Sequence, residues 1–483
     1  MKIAIIGSGF GGLGMAIQLK RAGFDDFVIL EKAGDLGGTW RDNQYPGCAC
    51  DVPSHMYSFS FELNPDWSRM FAPQPEIWDY LRRCVDKYGL APHLRFGSAV
   101  EAMEWEETGR HWRVTLASGE VLTPKAVISA IGALHVPSYP EIPGAERFQG
   151  TAFHSAQWDP AADLSGKRVA VIGTGASAIQ FVPRLADEAS RLHVFQRTPP
   201  WIQPKPDFLL SDGARRVFRH VPGTQRALRN GLYWMLETRA VGFTLDPRLM
   251  APMERMARRH IERQIDDPEL RAKVTPDYTI GCKRILLSSD YYPALTRPHV
   301  DLVTERITEI TETGLVTADG TTYDVDVIVY GTGFKVTEAL AEQRIVGRDG
   351  LKIQDAWADG IEAHHGVTVA GFPNLFMLLG PNTGLGHNSV VFMIESQVRH
   401  VLSCLRLLSE KKAEAIEVRA DAQRRFNDHL QRRLRRAVWN EGGCTSWYLD
   451  EHGVNRTLWP GFTFEYWART RRARRQDYDL SSA

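Results

Sequence analysis

The sequence predicts an α/β protein with two Rossmann-like dinucleotide-binding domains and a helical insertion. Three observations carry that expectation. The order strand, glycine turn, helix, strand occurs twice, in KIAIIGSGFGGLGMAIQLKRAG at the start and in KRVAVIGTGASAIQFVPRLADEASRLHVFQRTP from residue 167. Between 204 and 277, Arg, Met and Leu recur at helical spacing, as in RLMAPMERMARRHIERQI. The chain has 483 residues, too many for one simple core, so two or three domains are expected.

In the first unit a short apolar run ends at Gly7. Gly7 allows the tight turn, Gly9 lets the backbone approach a pyrophosphate, and Gly12 lets helix and strand pack closely. The helix N-terminus then offers free N–H groups to phosphates. The next apolar run, DFVILEK, reaches Glu31, 24 residues after Gly7, where a carboxylate can accept hydrogen bonds from both ribose hydroxyls. Gly37, Gly38, Thr39 and Trp40 follow and suit the flavin side of FAD.

In the second unit Gly173 and Gly175 repeat the pattern, with Ala178 in place of the third glycine. Arg197 stands at the same offset of 24 from Gly173. An acid there would repel a 2′-phosphate, whereas a guanidinium binds it bidentately, and Thr198 adds a hydroxyl donor. The second site therefore reads as one for NADPH. The strands AVISAIG (126–132) and VDVIVYGTGF (325–334) each end in a glycine turn and are expected where the chain returns to the FAD sheet. The expected domains are 1–147 with 335–483 for FAD, 161–203 with 278–334 for NADPH, a linker at 148–160 and the helical insertion at 204–277.

Lys+Arg and Asp+Glu balance at 58 each, which argues against nucleic-acid binding through bulk charge. The six cysteines form no CxxC pair and no metal-ligand spacing with histidine, so reduced thiols, a cytoplasmic location and no metal are expected. Disulfide reductases of similar layout carry a cysteine pair just after the flavin-side glycines. Here Cys48 and Cys50 are separated by one residue, awkward for an ordinary disulfide, and Trp40 takes the place of a cysteine. No signal peptide precedes the strand that starts at Ile3, and no apolar run is long enough to span a membrane. GLYWML at 231–236 lies beside many arginines and leaves room for a weak membrane-surface contact. The arginine run at 432–436 reads as a solvated helix face and RTRRARR near the C-terminus as a mobile tail.

The stretch FQGTAFHSAQWD matches the fingerprint FxGxxxHxxxW followed by Pro or Asp, at Phe148, Gly150, His154, Trp158 and Asp159. Gly37-Gly38-x-Trp40, Tyr45-Pro46-Gly47 and Asp51 fit a second signature, GCKR at 281–284 a third and FQRTP at 195–199 a fourth. By these motifs the chain resembles the Baeyer–Villiger monooxygenases, class B flavoprotein monooxygenases. The resemblance implies that the fingerprint links the FAD and NADPH domains, that its histidine supports domain movement, and that Arg284 is the active-site arginine, fixed by Asp51. It also places FQRTP at the NADPH phosphate.

The resemblance implies a flavin peroxide. Attack of such a group on a ketone needs an anion kept from water, and a buried guanidinium stabilises that anion and the adduct it forms. Lys283 either reaches the NADPH phosphate or is solvated; Trp40 and Tyr45 read as packing residues, and Trp447 as a contact to substrate or nicotinamide. The leading function is oxygen insertion beside a carbonyl, ketone to ester or lactone, with NADPH and molecular oxygen. The alternatives are oxygenation of sulfur or nitrogen, and a reductase that makes no oxygenated product.

Overall fold

The computed structural model describes residues 2–336 and 344–482. Apolar runs of four or five residues become strands buried on both faces, as parallel sheets require. In the first unit the strands Leu375–Met377, Ala126–Ser129, Ile3–Ile6, Phe27–Leu30 and Leu94–Arg95 lie side by side in that order, all parallel. Ile3, Ile5, Ile29 and Ile128 have no solvent exposure. The helix Phe10–Arg21 covers one face of the sheet and packs in turn on the 22-residue helix Val390–Lys411.

The second unit repeats the plan. Its strands run Val300–Val303, Arg191–Phe195, Arg168–Ile172, Val327–Tyr330 and Thr151–His154, again all parallel. Two expectations change here. Part of the expected linker, Thr151–His154, is the edge strand of this sheet, with Thr151 and Ala152 exposed and His154 buried. The run at 325–334 also belongs to this sheet and does not return to the first one; the first sheet is completed instead by Leu375–Met377. Residues 204–277 are helical in the main, with Asp212–His220, Thr224–Glu237, Ala240–Thr244, Ala251–Gln264 and Pro268–Val274.

The glycine turns differ by position in what they need. Gly7 and Gly173 have φ of +100° and +106°, and a Cβ on either would lie 2.6 or 2.5 Å from a backbone oxygen, of Ala130 or Gly331. A Cβ on Gly12 would lie 1.9 Å from the Gly7 carbonyl oxygen, so that position sets helix–strand packing. Positions 9 and 175 instead have room for a Cβ, whose nearest neighbours would lie in ordinary contact at 3.8 and 3.9 Å.

A histidine cluster beneath the C-terminal strand makes the fold acid-sensitive. The rings of His364 and His365 lie 4.0 Å apart, and His365 and His400 5.4 Å. His400 is bonded through Nε2 to the Tyr478 hydroxyl at 2.7 Å, and neither ring nitrogen of His364 makes a hydrogen bond of good geometry. Burial, then neighbouring charges that include His400 and Arg425, depress His364 to about 3; burial alone takes His400 to about 4, and burial with His364, His400, Arg469 and Arg474 holds His365 well below its usual value. The unfolded chain therefore takes up more protons below pH ~6.5, and stability falls with pH through that window, by roughly 2 kcal/mol at pH ~5 for each of His364 and His400, with His365 adding in the same direction. Chemical denaturation at the two pH values is expected to show this loss, and His364→Leu to reduce it by about that amount.

Candidate active site

Both glycine turns open into one cavity of about 1850 Å³, roughly twice the size of an ordinary ligand pocket. Gly7, Gly9, Glu31, Gly38, Thr39 and Trp40 line it from the first unit; Gly173, Gly175, Arg197 and Thr198 line it from the second. Asp51, Lys283 and Arg284 lie on the same wall system. Gly12 and Ala178 do not line it: they are packing positions behind the turns.

Glu31 is preset. Its Oε2 accepts from the Ser8 N–H at 3.0 Å and the Ser8 hydroxyl at 2.7 Å; its Oε1 accepts from the Ala33 N–H at 3.0 Å and lies 3.0 Å from Arg41 Nη1. Burial opposes the charge, but the Ser8 hydroxyl, Ala33 and Arg41 hold the carboxyl below its ordinary value. All four lone-pair directions are taken, so a ribose hydroxyl would have to replace one donor, and the rotatable Ser8 hydroxyl is the one free to turn. Ser8 and Arg41 were legible only as neighbours of the motifs, since nothing in their spacing points at Glu31.

Arg284 and Asp51 meet as their motifs imply. Arg284 Nε and Nη2 donate to the same oxygen, Asp51 Oδ2, at 3.0 and 2.5 Å. The other three N–H donors of the guanidinium make no hydrogen bond among the described residues, on a side chain 39% accessible. The Asp51 charge is the main reason that Arg284 is raised above its ordinary value; burial opposes it. For Asp51 burial favours the neutral acid, and Arg284 overrides it, so the carboxyl sits below its ordinary value. The pair is ionised at any neutral pH.

A pair of cations, Lys283 and Arg197, also lines the cavity. Lys283 is held below its ordinary value by burial and then by the charge of Arg197, with its Nζ 5.2 Å from the Tyr278 ring centre. Neither Arg197 nor Lys283 forms an ion pair among the described residues, although Asp277 acts on Lys283 from a distance. Two repelling cations with no anion between them fit a phosphate group.

The fingerprint residues lie outside the cavity. His154 is fully buried, accepts from the Ala156 N–H at 3.1 Å, and packs between the rings of Tyr139 and Phe334, each 5.5 Å away. Trp158 packs on Phe153 and Phe181, at 5.1 and 5.5 Å. A Cβ on Gly150 would lie 2.5 Å from the Asp326 carbonyl oxygen and 2.5 Å from the Phe148 ring, and Asp159 accepts from the Ala161 N–H at 2.9 Å. These contacts anchor the edge strand to the second sheet.

The cysteine reading needs one correction. A disulfide joins Cys282 to Cys444, 162 residues on, and ties the GCKR turn to the loop carrying Trp447 and Tyr448. Spacing could not show it, because the partners meet only in the fold. Cys48 and Cys50 are free and buried, and burial pushes the Cys48 thiol up to about 12. Trp447 is half exposed at the cavity, whereas the neighbouring Tyr448 is buried within the electrostatic reach of Arg284 and Asp51.

Residues 4–220 match the profile of a family described as pyridine nucleotide-disulphide oxidoreductase. The chain is 53% identical to a Baeyer–Villiger monooxygenase of Pseudomonas aeruginosa over 482 residues, covering 100% of this chain and 92% of that protein. The chain belongs to the Baeyer–Villiger monooxygenases. A Baeyer–Villiger monooxygenase of Streptomyces coelicolor is 50% identical, over 99% of this chain and 92% of its own length. Among solved structures, OTEMO in complex with FAD and NADP aligns with a TM-score of 0.88 at 30% identity, covering 100% of this chain and 99% of that one. Among the described residues no group of His, Cys, Asp and Glu is suited to a metal ion, and no helix is long and apolar enough to cross a membrane.

Proposed function

We propose that Arg284, fixed by Asp51, is the electrostatic centre at which this Baeyer–Villiger monooxygenase converts a ketone to an ester or lactone. The balance is one ketone, one O₂, one NADPH and one proton giving one ester, one water and one NADP⁺. Bound FAD, reduced by NADPH, supplies the activation of oxygen. The protein supplies position and charge. The open backbone at Gly9 and the preset Glu31 fit the pyrophosphate and ribose of FAD. Arg197, Thr198 and Lys283 take the 2′-phosphate of NADPH. Arg284 keeps three N–H donors for the oxygen on which negative charge grows, and its charge does not depend on pH in the working range. That free part of a fixed guanidinium is the observation that carries the proposal.

The cytoplasm is the location proposed, supported by the four buried cysteines that stay free, while the Cys282–Cys444 disulfide counts against it. A weak membrane-surface contact is proposed for the insertion, where Trp234, Leu245 and Leu249 are exposed near Arg248.

The test is oxygen uptake with NADPH over a panel of ketones, sulfides and amines, with products identified by mass. Heat should release FAD at about one per chain, and at least one ketone should yield its ester. Products from sulfides or amines alone would move the reading to heteroatom oxygenation. NADPH oxidation with hydrogen peroxide and no oxygenated product would sink it.

A further inference from the structure

Behind the Asp51–Arg284 pair lies a second, small cavity of about 50 Å³. It shares Asp51, Val52, Arg284, Leu385 and Asn388 with the wall of the main cavity, so the two adjoin at the Asp51–Arg284 pair. Its lining is mixed: Leu236, Phe243, Met253 and Ile285 share it with Asp51, Gln203, Arg239, Arg284, His387 and Asn388. Two of the polar groups are poorly satisfied: Arg239 has no partner among the described residues, and His387 has only a 3.7 Å contact from Nε2 to Glu237 Oε2. The Arg239 side chain, half-buried between helices Thr224–Glu237 and Ala240–Thr244, forms no hydrogen bond or ion pair among the described residues. Both ring nitrogens of buried His387 also lack a hydrogen-bond partner.

The nearby carboxylates are already committed. Asp51 holds Arg284. Glu237 accepts from Asn388 Nδ2 at 2.7 Å, from the Thr463 hydroxyl at 2.8 Å and from the Thr463 N–H, and His387 Nε2 is 3.7 Å from it, beyond hydrogen-bond length. Burial is the one influence acting on the Arg239 charge, and it works against that charge. A half-buried guanidinium without a counter-ion gives up part of its hydration, and an acceptor that enters from outside replaces it.

We infer that this cavity is a subsite for a carboxylate carried by the substrate, with Arg239 as its partner. The class of substrate is then an oxo acid: a ketone joined through an apolar chain to a carboxylate. Size favours that group. A cavity needs about 10–15 Å³ by this measure for one water, so this one admits three or four water-sized atoms, as in a carboxylate. A planar fork matches it with two parallel N–H···O bonds. The inference rests on the ketone reading above for the carbonyl end only.

The experiment compares levulinate and longer ω-carboxylated methyl ketones with their methyl esters, on the FAD-loaded enzyme. One charge-assisted contact predicts that one acid of the series exceeds its ester in kcat/KM by about 10- to 100-fold. Arg239→Ala and the better-matched Arg239→Gln should bring that ratio near one, with the loss falling mainly on the acid. Equal kcat/KM for acid and ester across the series in the unaltered enzyme would overturn the subsite, as would an unchanged ratio in both variants. Calorimetric binding of the same acids to the oxidised enzyme needs no turnover and separates two failures. Binding that depends on Arg239 with no ester from any ketone would sink the ketone reading and keep the subsite. Ester formation with no Arg239-dependent binding would do the reverse. A plain fatty carboxylate should compete with the oxo acid; if it stimulates turnover of the methyl esters instead, the site holds an effector and the inference fails.

Discussion

Arg284→Ala is expected to retain FAD, to be reduced by NADPH, and to form little or no ester from any ketone that the unaltered enzyme accepts. Oxygen would then be returned as hydrogen peroxide. Flavin reduction needs a nicotinamide against the ring, and no step of it places new negative charge at Arg284. Oxygen insertion does place such charge on oxygen. The guanidinium is ready for it because Asp51 Oδ2 takes only Nε and one Nη2 hydrogen. Losing one preorganised donor of this kind costs about 2.7–4 kcal/mol, or about 10²–10³ in rate. Arg284→Lys should restore little, since an ammonium can hold Asp51 or the reacting oxygen but lacks the fork that does both. Removing Arg284 also leaves Asp51 as an unpaired charge, so Arg284→Ala with Asp51→Asn serves as the control for folding. Stopped-flow reduction and ester yield per NADPH are the measurements. An ordinary ester yield from Arg284→Ala would remove this residue from the chemistry. The charges of the pair add no break in activity near neutral pH: Asp51 is depressed and loses its charge only as pH falls through that lowered value, and Arg284 is raised.

Much of this arrangement was legible because its signals are local. The two glycine turns, Glu31 and Arg197 follow from the order of elements within about thirty residues. Asp51 and Arg284 were legible as motifs, but their contact spans 233 positions and belongs to the fold. What escaped has physical causes. Thr151–His154 carries exposed Thr151 and Ala152, so an edge strand lacks the apolar run that marks a central one. Val327–Tyr330 is an apolar run like any other, and composition cannot say which of two parallel sheets takes it. The Cys282–Cys444 bond, the buried Tyr448 and the unpaired Arg239 depend on contacts between distant segments. Arg239 in particular lies in a stretch rich in arginine, where only the structure distinguishes those that turn inward, Arg239 and the bonded Arg229, from the rest.

The preference for NADPH over NADH is expected to rest on two cations jointly. Arg197 and Lys283 line one cavity wall and repel each other, since Arg197 is the second cause of the lowered Lys283 value after burial. An anion between them relieves that repulsion and gains two charge-assisted contacts, each worth about 1.5–3 kcal/mol. NADH offers no such anion. Arg197→Ala or Lys283→Ala alone should therefore raise the NADPH KM by about 10- to 100-fold, and the double variant should approach the NADH value. The NADH KM should stay the same or fall slightly in each variant, because the empty pair is then less strained. The two losses should not simply add: the relief of repulsion is part of the affinity of the unaltered enzyme and is lost with either cation, so the double variant should lose less than the sum of the two single losses. Steady-state KM for both nucleotides in the four proteins forms the cycle. Parallel losses for NADPH and NADH would show that the residues shape the site and do not read the phosphate. Loss confined to Arg197→Ala would make Lys283 a bystander over the Tyr278 ring.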